Sequence, residues 1–121
     1  KDVWEVGQHG QPVPLTKGWL RASHRKLDAA RSLPYRPYHP HNERLWLTPG
    51  EPVECRIEIW PTRIVLGKGH KLRVDIQPRD GVGAAPYTHY HADYNAGAEN
   101  TIYSGGDRLS YLLMPVIPPK K

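Results

Sequence analysis

The stretch Val53-Glu54-Cys55-Arg56-Ile57-Glu58-Ile59 places apolar residues at odd positions and charged residues at even positions. A period of two is typical of a β-strand that buries one face and exposes the other. Leu72-Arg73-Val74-Asp75-Ile76 repeats this alternation after the turn-forming Gly67-Lys68-Gly69. We therefore expect two antiparallel neighbours on one sandwich face, with Pro61 ending the first strand.

Further strand candidates lie on both sides of this pair. Residues 3–6 and 18–23 are weaker candidates, whereas residues 109–117 read as a more continuous apolar strand interrupted by Pro115. No long stretch has helical periodicity, and 13 Pro and 11 Gly among 121 residues favour short strands joined by turns. The expected fold class is all-β.

Composition limits the possible partners. A chain of 121 residues has the size of one domain or of a fragment of a larger one. The net charge is +5, but Lys and Arg are scattered among acidic residues, so we expect no nucleic-acid partner. No run of 18 apolar residues and no signal pattern occur, so we expect no membrane partner, and the localisation stays open. The single Cys55 excludes an internal disulfide and fits a small buried thiol.

Two long connections, residues 32–47 and 77–100, are candidates for function or for packing on a neighbour, as loops of this length usually are. In the first, prolines alternate with aromatic residues and form a rigid strip suited to docking on another domain or stacking on a ligand ring. If any residues approach a substrate, those of the two loops are the best candidates: Tyr35, Tyr38, His39, His41, Tyr87, His89, Tyr90, His91 and Tyr94.

A metal site is a weak alternative use of the second loop. In an extended segment His89, His91 and Asp93 would project from one face, as metal ligands can. With Gly83, this H-x-H run resembles the first metal motif of cupins, a jelly-roll family. The Glu expected three or four residues after His91 is missing, so an interface or pocket-wall loop is the favoured interpretation. We expect no cofactor.

No residue has the setting of a catalytic nucleophile. A G-x-S-x-G turn is absent from the sequence. Ser23 and His24 are neighbours, and neighbours on a strand point to opposite faces and cannot share a proton. Four tryptophans could form a sugar-stacking platform, although aromatic residues on strands more often fill cores. They are Trp4, Trp19, Trp46 and Trp60.

Three stretches, taken in order, resemble the C-terminal domain shared by X-Pro dipeptidyl-peptidases, bacterial cocaine esterase and α-amino-acid ester hydrolases. The first is Gly18-Trp19-Leu20-Arg21-Ala22-Ser23-His24-Arg25. The second is Ile59-Trp60-Pro61-Thr62, followed by Gly69-His70-Lys71-Leu72-Arg73-Val74. The third is Asn100-Thr101-Ile102-Tyr103 with Ser110-Tyr111-Leu112-Leu113-Met114-Pro115-Val116. Together they span nearly the whole chain.

This resemblance implies a jelly-roll β-sandwich, galactose-binding-like, that packs on an α/β-hydrolase domain and helps to wall its substrate pocket. The catalytic triad of such enzymes lies in that other domain, and whether the parent is a peptidase, an esterase or an acylase stays open. The resemblance begins partway into the domain. We therefore expect residues 1–121 to form a single partial domain of a longer gene product, without its first strands and with the catalytic domain absent.

Missing strands leave sheet edges and apolar faces unpaired, so we expect another chain or a second copy to cover them, the latter as a homo-oligomer. The expected function is that of an accessory domain of a serine hydrolase. The alternatives are a cupin-like metal-binding jelly roll and a glycan-binding module.

Overall fold

The computed structural model describes residues 2–6, 12–77, 97 and 99–118, with the backbone alone for residues 2–6 and 12. The chain divides into two compact units, residues 1–89 and 90–121. No helix among the described residues is long and apolar enough to cross a membrane.

The first unit contains a three-stranded antiparallel sheet. Its strands are β1 (Asp2–Val6), β2 (Pro12–Lys17) and β3 (Lys71–Asp75), in the order β2-β1-β3. One short 3₁₀ helix, Ala22–His24, follows β2, and no α-helix occurs in the described ranges. The described secondary structure is that of a small all-β domain, as the sequence predicted.

Strand β2 forms an edge of this sheet although it contains two prolines. Pro12 pairs with Val6 and Pro14 pairs with Trp4, next to a register shift between Val3 and Trp4. Proline has no N–H to donate. A strand that contains proline is therefore tolerated at a sheet edge, where one side of the strand has no neighbour to hydrogen-bond. The expected strand at residues 3–6 is confirmed as β1. Strand β2 was not predicted, because its prolines argued against it.

The expected strand at residues 53–59 is wrong. Cys55, Ile57 and Ile59 are half-buried, but Glu58 is half-buried too and Val53 is exposed, so the burial does not alternate, and the segment belongs to no strand. The expected partner, residues 72–76, is confirmed as strand β3, shifted by one residue. However, β3 pairs with β1 along its whole length. The neighbour of β3 is therefore the N-terminal strand β1, and not residues 53–59 as the alternation had predicted.

The expected strand at residues 18–23 is also wrong. The chain leaves β2 at Lys17, and residues 22–24 form the 3₁₀ helix, whose first hydrogen bond joins the His24 amide to the Arg21 carbonyl at 2.8 Å. Gly18 and Ser23 are the buried residues of the described part of the chain. The segment is thus a tightly packed corner and not a strand.

In the second unit, residues 109–117 form no strand, against the prediction. Leu109 is 72% exposed and Ile117 is 91% exposed, and the described part of this unit offers no ladder for them. A turn precedes this stretch. Gly105 and Arg108 exchange two backbone hydrogen bonds of 3.3 and 3.1 Å, and Gly106 has φ +55°.

The first unit has two further glycine turns, of which the one with Gly67 and Gly69 was predicted and is confirmed. The His70 amide donates to the Gly67 carbonyl at 3.1 Å, and Gly69, the third residue of that turn, has φ +84°. The Glu51 amide donates to the Thr48 carbonyl at 3.1 Å, with Gly50 at φ +80°. A positive φ at the third position is typical of a type II turn and favours glycine there.

Candidate functional site

The candidate site is built around a close backbone contact at Gly18. A Cβ atom on Gly18 would lie 2.0 Å from the carbonyl oxygen of Glu58. Beside this contact, the Trp60 amide donates to the Lys17 carbonyl at 3.1 Å, and the Thr16 hydroxyl donates to the Trp60 carbonyl at 2.6 Å. Because glycine has no side chain, the end of β2 and residues 58–62 can lie side by side.

This contact brings two tryptophans together. The rings of Trp19 and Trp60 are 5.4 Å apart at an interplanar angle of 80°, an edge-to-face pair. They border an open cleft of about 360 Å³ in the first unit. Its lining residues are Trp19, Leu20, Pro37, Tyr38, His39, His41, Glu58 and Trp60. A cleft of this size can receive one or two side chains of a partner.

The loop that forms the opposite wall is tied down by hydrogen bonds at both ends. The Asp28 amide donates to the Tyr38 carbonyl at 3.0 Å, and the Tyr38 amide donates to the Ser32 hydroxyl at 2.9 Å. Between them, Leu33 and Arg36 exchange two backbone hydrogen bonds of 3.0 Å and leave a two-residue tip. The wall is therefore preorganised despite having no regular secondary structure.

His39 fastens this loop to two distant backbone segments. Its Nδ1 lies 2.9 Å from the carbonyl oxygen of Lys26, and its Nε2 lies 2.8 Å from that of Arg56. A carbonyl oxygen can only accept, so a neutral imidazole can donate to one of the two and an imidazolium to both. The ring of His39 is thus committed to holding the wall in place.

His41 and His24 form a second histidine contact next to the cleft. Their Nδ1 atoms are 3.1 Å apart, so one ring donates and the other accepts. His41 has φ +54°, an uncommon conformation for a residue with a side chain. Partial burial lowers the pKa of His24 below its usual 6.5, and His41 lowers it further. Arg21 and Arg44 act in the same direction.

This arrangement has no recognisable catalytic chemistry. The buried Oγ of Ser23 and the buried Nε2 of His24 have no hydrogen-bond partner in the described part of the chain, so the two side chains form no proton-sharing pair. Among the described residues, no group of three or more His, Cys, Asp or Glu side chains could hold a metal ion. The described site therefore fits recognition through aromatic and polar contacts.

Comparison with known proteins identifies the family. The model of the X-Pro dipeptidyl-peptidase C-terminal non-catalytic domain matches residues 2–113. The chain belongs to this family. Two curated proteins named "Putative serine esterase", from Mycobacterium bovis and Mycobacterium tuberculosis, are each 28% identical to it over 120 residues. The alignment covers 95% of this chain but 18% of each relative, so the chain spans under a fifth of their length. No solved structure matches the chain.

Within this non-catalytic domain, the predicted loop residues have different surroundings. Tyr35 stands at the tip of the first loop and is 66% exposed. Tyr38 and His39 are half-buried, with the Arg31 guanidinium 3.7 Å from the centre of the Tyr38 ring. His41 lines the cleft. The remaining candidates lie outside the described residues: Tyr87, His89, Tyr90, His91, Asp93 and Tyr94.

The cleft also contains Glu58, which was not predicted, and two tryptophans that were considered only for a sugar-stacking platform. Trp19, Trp60 and Glu58 belong to its lining. Both tryptophans stand in the motif stretches that carry the family resemblance, yet their meeting depends on Gly18, which is distant from residues 58–60 along the chain. A glycine inside a motif stretch often marks a close backbone approach, so Gly18 indicated that some segment lies against it but did not indicate which one.

Proposed function

We propose that this chain is a partial jelly-roll β-sandwich that serves as the accessory domain of a serine hydrolase. In this proposal it packs on the α/β-hydrolase domain of the same polypeptide and shapes the substrate pocket, while the reactive serine lies in that other domain. The accessory role is supported by membership in a non-catalytic family. A larger hydrolase is supported by the name and the length of the curated relatives.

The observation that carries the proposal is the exposure of large apolar side chains. In the first unit Trp46 is 63% exposed, Leu47 is 50% exposed and Val65 is 88% exposed. In the second unit Tyr111 is 77% exposed and Val116 is 78% exposed. Burying apolar surface is worth about 25 cal/mol per Å². Large apolar side chains that stay exposed in both units favour the presence of a partner that covers them.

The rest of the parent polypeptide is the favoured partner. A domain connected to this chain is present at a high effective concentration, so weak contacts suffice to hold it in place. A second copy of the chain would have to associate from dilute solution and meet the full cost of lost translational freedom. Homo-oligomerisation through sheet edges is therefore the alternative in this proposal, and it predicts a mass that depends on concentration.

Footprinting with hydroxyl radicals tests the packing. We expect Trp46 and Tyr35 to oxidise several-fold more slowly in the full polypeptide than in the 121-residue chain, because the hydrolase domain covers them. Met114, which is 47% exposed, provides a third reporter in the second unit. Equal oxidation rates in both proteins for all three side chains would show that no domain packs on these surfaces.

Kinetics test the pocket role separately. In the full polypeptide, Tyr35→Ala is expected to raise KM for 4-nitrophenyl acetate or for Gly-Pro-4-nitroanilide several-fold, with a smaller change in kcat, since the residue lies outside the triad. Tyr35→Phe, which keeps the ring, is the matched control and should stay close to the parent value. The same pair of tests applies to Tyr87 and Tyr90 of the second loop. Unchanged constants for all these variants would remove the pocket role.

A further inference from the structure

The cleft contains an indole ring without a cation and a carboxylate without an ion pair, as far as the described residues show. Glu58 and Trp60 stand two residues apart, and both line the cleft. From this juxtaposition we infer that the cleft is a receptor for one guanidinium group. Resting on the proposed function, the inference assigns that group to an arginine side chain of the hydrolase domain.

The ring contacts of the first unit support this inference by contrast. The ammonium of Lys17 lies 5.3 Å from the centre of the Trp19 ring, and the guanidinium of Arg31 lies 3.7 Å from that of Tyr38. Trp60 has the Trp19 ring beside it but no cation from the described residues, and it is 62% exposed. The negative face of an indole attracts cations more strongly than that of other aromatic rings.

The acidic residues show the same contrast. Three carboxylates of this unit have a basic partner: Glu43 lies 2.7 Å from Lys26, and Glu54 lies 2.8 Å from Arg56. Asp75 is the third, paired with Arg73 at 2.9 Å. Glu58 is half-buried and has no ion pair with any described residue. A partly desolvated carboxylate without a counter-charge is stabilised by a cation that enters the cleft.

The geometry favours guanidinium over ammonium. The two indoles meet at 80° and form a corner, with Trp19 40% exposed. A planar guanidinium can stack on one indole and still donate two hydrogen bonds to a carboxylate in the same site, whereas an ammonium is a compact, strongly hydrated point charge. On the opposite wall, both nitrogens of His39 already face backbone carbonyls, so that ring does not compete for the carboxylate.

Titration with L-arginine amide, monitored by NMR of the indole N–H signals, tests the site on the 121-residue chain. We expect one of the four indole signals to shift saturably, with a Kd on the order of tens of millimolar for a single contact of this kind. L-citrulline amide has the same shape without the charge and is expected to bind at least about 5-fold more weakly. Equal shifts with both probes, or no saturable shift, would overturn the inference.

Two variants locate the interaction. Glu58→Gln should weaken arginine amide binding at least about 5-fold, because it removes the charge and keeps the size. Glu54→Gln is the matched control, since Glu54 is already paired with Arg56, and it should leave the affinity unchanged. If Glu58→Gln does not fold, Trp60→Leu provides the second variant and should also weaken binding. Full affinity in a folded Glu58→Gln or Trp60→Leu variant contradicts the assignment.

The same titration on the full polypeptide separates this inference from the proposed function. Loss of binding there supports an occupant supplied by the hydrolase domain, and substitution of its arginines one at a time should restore binding. Binding that persists in the full polypeptide, together with slowed oxidation of Trp46 and Tyr35, leaves the domain packing intact and overturns the assignment of the occupant. Binding that persists while Trp46 and Tyr35 oxidise at unchanged rates would contradict both the assigned occupant and the domain packing.

Discussion

Gly18 is the residue whose lack of a side chain decides whether the two halves of the cleft meet. Replacing it by alanine puts a methyl group on the backbone carbonyl of Glu58, which cannot rotate away as a side chain would. We expect Gly18→Ala to lower the free energy of unfolding by about 1–3 kcal/mol, the usual cost of overpacking. Urea unfolding monitored by tryptophan fluorescence measures the change.

Gly67→Ala is the matched control for that substitution. A Cβ at Gly67 would meet the end of the His70 side chain at 3.3 Å, and a flexible ring can move aside. Its effect should stay within about 0.5 kcal/mol. Equal losses at both glycines would mean that the approach to Glu58 is not the limiting contact.

His24 makes stability depend on pH in a defined direction. Its pKa in the folded chain is lowered from 6.5, so between the two values the unfolded chain binds more protons than the folded chain. Stability therefore falls as the pH drops through 6.5 toward the folded pKa, and the effect is absent well above 6.5. Thermal unfolding between about pH 7.5 and 5 should show a shallower loss in His24→Gln than in the parent chain.

The control for the pH dependence is His70→Gln, which leaves the contact between His24 and His41 in place. This variant should keep the parent slope of stability against pH. A parent slope that survives in His24→Gln would assign the pH dependence to other groups.

At the scale of elements, the turn before β3 is a sensitive position. Gly69 has φ +84°, where a residue with a side chain costs about 1–2 kcal/mol, less for asparagine than for alanine. We expect stability to fall in the order Gly69, Gly69→Asn, Gly69→Ala, and chemical denaturation of the three proteins measures it. A Gly69→Ala protein as stable as Gly69→Asn would show that the positive φ does not limit the turn.

The elements that the sequence predicted well are those with local causes. The glycine at position 69 marked a turn through its own conformational freedom, and the alternation at residues 72–76 located β3. The alternation does not report burial, because Val74 is 39% exposed whereas Asp75 is half-buried, and it does not choose a ladder partner. The predicted pairing of residues 53–59 with residues 72–76 was therefore wrong, because β1 pairs with β3 instead. Strand β2 was missed because an edge position makes its prolines acceptable.

At the scale of the whole molecule, the family was predictable because three motif stretches kept their order along the chain, and the match over residues 2–113 confirms it. The cleft was predictable in part. The strip of prolines and aromatic residues identified Tyr38, His39 and His41 as site candidates, and these three residues do line the cleft. Its other wall was not predictable, because the approach of Gly18 to Glu58 is a long-range contact with no local pattern.

The loop from Asp28 to Tyr38 has a consequence for how such domains could diversify. Its base is fixed by the bonds of Tyr38 to Asp28 and Ser32, and its neck is closed by the paired backbone groups of Leu33 and Arg36. The residues at the apex, Pro34 and Tyr35, can then be exchanged without disturbing the frame that holds them. Under the proposed pocket role, substitutions at these two positions alone would change the surface offered to a substrate, while the backbone around them stays constant.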